Sequence, residues 1–170
     1  MKNIEELRRF YDEVDQEVRR LKSIHSERLK CKKGCASCCI DGITVFQVEA
    51  ENIKFHYKKL LREEKPHGIG KCAFLDESGA CRIYENRPYV CRTQGLPLRW
   101  LDEENEIEYR DICPLNENGE PIENLEPDKC LTIGIFESRL AGLQLKFGNG
   151  KMKRVALRSL FECNRKRKKK

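Results

Sequence analysis

The sequence predicts an α+β fold: a small metal-stabilised domain in which short β-hairpins and cysteine-bearing loops are framed by helices. Three observations predict it. A helical period runs through residues 3–30, two later segments alternate and turn as hairpins do, and seven of the ten cysteines fall between Cys31 and Cys91. With 170 residues, the chain is long enough for one hydrophobic core, and residues 1–163 are read as a single domain. Within it the reading assigns an N-terminal helix over 3–30, a metal-binding core over about 31–98 and C-terminal helices over 131–163. Residues 164–170 are read as a basic, disordered tail.

The first helix rests on Ile4, Leu7, Tyr11, Val14, Val18 and Leu21, which recur at steps of three and four and so share one face. Asn3 followed by Glu6 resembles a capping box at its start. The stripe suits packing on the domain's own core, and the same face would serve a dimer. "DGITVF" reads as a turn and a short strand. Residues 47–64 read as a second helix through Val48, Ile53, Tyr57, Leu60 and Leu61. "KCAFLDESGACRIY" predicts a hairpin turning at "DESG" with Cys72 and Cys81 on its arms, and "LPLRWLDEENEIEYRDI" predicts another turning at "DEEN". Residues 114–129, rich in Pro, Asn, Gly and Glu, read as a loop. Helices are expected at 131–147 and 151–163, separated by "GNG".

Charge and compartment decide how the cysteines are read. Charged residues make up 36% of the chain, no apolar run reaches the length of a membrane span, and the start, "MKNIEELRRFYDEV", lacks the pattern of a secretory signal. The expected location is the cytoplasm, where thiols stay reduced and clustered cysteines serve metals rather than disulfides. The net charge of +6 equals that of Arg165–Lys170 alone, so the rest of the chain is neutral. That tail could touch an acidic partner or nucleic acid through charge, but it carries no base-reading element, and a solvated end is the favoured reading.

"CKKGCASCC" sets Cys31, Cys35, Cys38 and Cys39 within nine residues. A C-x2-C spacing lets one tight turn place two sulfurs on one metal, and Gly34 permits such a turn. The adjacent Cys38 and Cys39 suit different metals or different roles. With Cys72, Cys81 and Cys91 added, the seven exceed the four ligands of a closed zinc site. Two sites, one polynuclear cluster or spectator thiols would each account for the excess. Iron, as an iron–sulfur cluster, and zinc both suit thiolate ligands, and the spacing does not choose between them. Cys113 and Cys130 are left open, and Cys163 is read as packing. Arg87 and Arg92, beside Cys91, are candidates to offset cluster charge from outside the ligand set. His67 is a candidate mixed-site ligand, whereas His25 and His56 read as helix residues. "GIGK" and "GNGK" lack the rest of a phosphate loop, and "CASC" lacks the strand–turn–helix setting of a thioredoxin-type site. No residue presents itself as a catalytic base or nucleophile.

The blocks "CKKGCASCC", "CAFLDESGACRIYENRPYVCR" and "TQGLPL" together resemble the YkgJ-type cysteine-cluster family, known for its CxxCxxCC signature and described as zinc- or iron-chelating. The likeness runs from about Cys31 to Leu98. It implies metal binding through the cysteines more firmly than any reaction. One departure concerns Cys31, which three residues rather than two separate from Cys35. The resulting expectation is a metal-binding protein holding iron or zinc, with a structural zinc module for protein partners as the alternative.

Overall fold

A computed structural model describes residues 2–32 and 34–161. In chain order the elements are α1 (Lys2–Ile24), β1 (Thr44–Phe46), α2 (Gln47–His56), α3 (Lys58–Glu63), α4 (Tyr89–Thr93), β2 (Leu98–Asp102), β3 (Ile107–Asp111), β4 (Leu131–Thr132), α5 (Ile133–Phe147) and β5 (Arg154–Ala156). The fold is α+β, with small sheets and with most of the cysteines in loops. No helix among the described residues is long and apolar enough to cross a membrane. The chain divides into two compact units.

Among the described residues, the first unit holds 2–7, 32, 34–88 and 143–161. β1 and β5 pair antiparallel, Val45 opposite Val155. Behind them Val45, Ala50, Ile53, Leu61, Phe74, Ile83, Leu157, Leu160 and Phe161 form a buried cluster, with the Phe74 and Phe161 rings 5.0 Å apart. Two polar side chains tie down the start of α2. The Glu49 carboxylate accepts from Phe46 N at 3.2 Å. Gln144, fully buried, accepts from Val48 N at 3.0 Å and donates to Lys151 O at 2.8 Å. Its amide thus satisfies a helix-start N–H and a loop carbonyl that have no regular partner.

The second unit holds residues 8–31 and 89–142. Its sheet has the order β3-β2-β4, with β2 antiparallel to β3 and parallel to β4. Phe10, Tyr89 and Phe136 meet at centroid distances of 5.8–6.3 Å. The predicted stripe of α1 is the buried one: Leu7, Tyr11, Val14, Val18 and Leu21 all lie inside, joined by Phe10.

Three boundaries differ from the expectation. The first helix ends at Ile24 rather than residue 30. The apolar stripe stops at Leu21, and the next inward residues are polar. His25 Nε2 meets Lys129 O at 2.7 Å, and Arg28 Nε donates to Asn118 O at 2.9 Å. Turns aim those groups where a continued helix would not. The 47–64 helix is broken at Tyr57 into α2 and α3. Within the expected helix over 151–163, residues 154–158 are instead β5 and a following turn, because Val155 and its neighbours complete a ladder with β1, and helical backbone begins only at Ser159. Cys163 and the basic tail lie outside the described residues.

Replacing Gln144 with Leu strands the Val48 N–H and the Lys151 carbonyl in the interior. The expected cost is about 2–4 kcal/mol, read as a lower urea midpoint with an unchanged slope.

Candidate metal centre

The first unit gathers Cys35, Cys38, Cys39, Cys72 and Cys81. Gly34 makes its turn at φ +94°, open to side chains but strained for any residue with a Cβ. Tight turns follow: Cys35 N donates to Lys32 O at 2.9 Å and Cys39 N to Ala36 O at 3.0 Å. An antiparallel bridge between Ile40 and Lys71 then laces this loop to the next, and Cys72 N donates to Cys39 O at 2.9 Å. Beyond Cys72 the chain makes the predicted hairpin in miniature. Leu75 bridges Cys81, and the Asp76 carboxylate accepts from Ser78 N and Ala80 N, both at 2.9 Å. The Ser78 hydroxyl and these amides hold the Asp76 carboxyl below its ordinary range.

The thiols are not equivalent. The Cys39 thiol, hydrogen-bonded to Cys38, lowers the Cys38 pKa to about 6, with the Arg87 guanidinium acting in the same direction. Arg87 itself stacks on the Tyr84 ring, 4.1 Å from its centroid. Burial pushes the Cys72 and Cys81 thiols up. Cys39, Cys72 and Cys81 also pack on the buried cluster, so the packing role open to any cysteine holds for these three as well.

Arg158 is a residue that sequence reasoning missed. Its guanidinium donates to Asp41 Oδ1 (2.8 Å), His67 O (2.8 Å), Gly68 O (3.0 Å) and Lys71 O (2.8 Å). Asp41 in turn accepts from Gly42 N and Gly70 N. One side chain thereby fixes the loop that leads into Cys72. His67 contributes its main chain to this arrangement.

The second unit holds Cys31, Cys91, Cys113 and Cys130. Cys31 Sγ accepts from Asn116 Nδ2 at 3.2 Å, and Asn116, fully buried, also donates to Gly95 O and accepts from Lys30 N, both at 2.8 Å. Gly95, at φ +95°, leaves room for the sulfur: a Cβ there would stand 2.4 Å from it. Neither Asn116 nor Gly95 was expected near a cysteine, and the glycine of "TQGLPL" was the one available hint. Arg92 donates to Asp15 Oδ2 at 2.5 Å and lies over the Tyr11 ring, whereas Arg87 lies near Cys38. Cys130 is buried, which raises its thiol pKa. Cys113 precedes the turn Pro114–Asn116. His25 is packed and hydrogen-bonded, and exposed His56 stacks edge-on against Phe55.

No disulfide joins any of the nine described cysteines. Among the described residues no three Cys, His, Asp or Glu side chains stand ready around one point. The first unit's donors nevertheless fit a soft metal in kind and number: five thiols, one of them inclined to ionise near neutrality, with an arginine at hand.

Comparison with known proteins agrees with the donor chemistry. Residues 30–114, half of the chain, match the CxxCxxCC family model, "Putative zinc- or iron-chelating domain". The chain belongs to that family, whose description supports binding of zinc or iron. No curated protein and no solved structure matches it.

Two outcomes check this geometry. In reduced, metal-free protein, iodoacetamide should label Cys38 ahead of Cys72 and Cys81 at about pH 7. Its rate should fall as pH drops through about 6, because the thiolate is the nucleophile; peptide mass spectrometry reads the order. Gly95→Ala should evict the Cys31 sulfur from its hydrogen bond and cost roughly 1–3 kcal/mol, with faster Cys31 labelling as the second readout.

Proposed function

We propose that this protein is a metal-binding protein that holds iron, as an iron–sulfur cluster, through cysteines of the first unit. Cys35, Cys38, Cys39, Cys72 and Cys81 are the ligand pool. The observation that carries the reading is that two separate cysteine segments are laced together by Cys72 N on Cys39 O, which brings both to one unit. Cys38 and Cys39 are adjacent and differ in setting, so one serves as ligand while the other packs or supports it. Arg87 acts from outside the ligand set, its charge offsetting that of thiolates. Cys31 and Cys91 lie in the second unit and are left outside this ligand pool, as is Arg92, which pairs with Asp15. When bound, an iron–sulfur cluster supplies one-electron redox chemistry.

Zinc is the second reading, and a specific observation favours it. Cys39, Cys72 and Cys81 pack directly on the buried cluster, where a closed tetrahedral site would fix loops that have little regular structure. In that case the protein is a structural module for protein partners. Both readings place the protein in the cytoplasm, where thiols stay reduced.

Protein purified without oxygen should carry iron and acid-labile sulfide and a visible absorption that bleaches with dithionite. Cys72→Ser and Cys81→Ser should each remove most of that iron, while Cys130→Ser should leave it. Zinc without colour would transfer the site to the second reading. Metal-free protein that is reduced and folded would refute both.

A further inference from the structure

The β2–β3 hairpin of the second unit carries a feature unrelated to the cysteines. Its register sets Trp100 opposite Tyr109 and Asp102 opposite Ile107, so these side chains share one face. The Trp100 and Tyr109 rings stack at 5.5 Å and 17°. Tyr109 is 42% exposed and Ile107 45%. The polar groups of the other face are engaged: Arg99 and Arg110 both pair with Glu108 at 2.6 Å, and Arg110 also donates to the carbonyls of Ile122 and Leu125, leaving Leu101 exposed on that side. The aromatic face, by contrast, makes no ion pair among the described residues and offers exposed ring and aliphatic surface.

Its surroundings are strongly acidic. Residues 102–108 hold five carboxylates and no basic residue. Asp102 is used by the turn, accepting from Asn105, and Glu108 is used by the arginines. Glu103, Glu104 and Glu106 are exposed and make no ion pair among the described residues. The surface therefore joins a flat aromatic and aliphatic face to unneutralised negative charge. The field repels nucleic acid and anionic lipid and attracts cations.

We infer that this face is a docking surface for a lysine- and arginine-rich peptide segment of a partner protein. The alkyl stems of such a segment lie on Ile107 and Tyr109, their cations reach Glu103, Glu104 and Glu106, and guanidinium groups stack on the exposed ring faces. The inference is independent of the metal reading.

Trp100 is the chain's one tryptophan, so its emission reports on this face directly. The full chain is titrated with a short Lys/Arg peptide, and with a Glu/Asp peptide of equal length as control. The expected result is a saturable change in emission with the basic peptide alone, weakening strongly as salt is raised. The triple variant Glu103→Gln, Glu104→Gln, Glu106→Gln should weaken binding about tenfold while leaving the circular dichroism unchanged, and Tyr109→Ala should weaken it as well. An unchanged emission, equal binding by the triple variant, or equal binding of the acidic peptide overturns the inference. Sedimentation that shows self-association abolished by the triple variant would also overturn it, assigning the face to a second copy.

Discussion

The backbone hydrogen bond from Cys72 N to Cys39 O, beside the Ile40–Lys71 bridge, is the constraint on which the first unit depends. It joins the segment with Cys35, Cys38 and Cys39 to the hairpin with Cys72 and Cys81. Neither segment has enough regular structure to hold its thiols alone. Their joint placement comes from main-chain pairing on one side and the buried cluster of Phe74, Ile83 and Phe161 on the other. Hydrophobic burial positions the loops, and the thiols follow from where the loops are tied.

Charge then finishes what packing begins. Arg158 spends its donors on Asp41 and three carbonyls of the 67–71 loop, a set of bonds that water would otherwise compete for. Arg87 stacks on Tyr84 and leans its charge toward Cys38. The second unit uses the same devices for other ends. Arg92 pairs with Asp15 over Tyr11, and Asn116 ties Cys31 to Gly95 and Lys30. An arginine beside a cysteine in sequence can therefore serve the thiol or serve the core, and only three-dimensional context separates Arg87 from Arg92.

Much of this was legible in the amino acids. The α1 stripe, both hairpins and the 114–129 loop follow from periodicity and turn chemistry, which act locally. Residues 154–158 differ from the helix expected there because their strand exists only through pairing with β1, a partner about a hundred residues away in sequence. Arg158 and Asn116 were invisible for the same reason: their hydrogen bonds reach across long separations, and nothing in the neighbouring residues announces them. The cysteine spacing offers candidate ligands but not their division, with Cys35, Cys38, Cys39, Cys72 and Cys81 in one unit and Cys31 and Cys91 in the other.

The central claim is that the cysteines of the first unit hold a metal through sulfur. X-ray absorption at the edge of the metal that copurifies with the protein tests it most directly. The account predicts a first shell of sulfur near 2.3 Å, the distance of a metal thiolate, with an added iron–iron distance if a cluster is present. A shell of oxygen and nitrogen, with no sulfur, would contradict it.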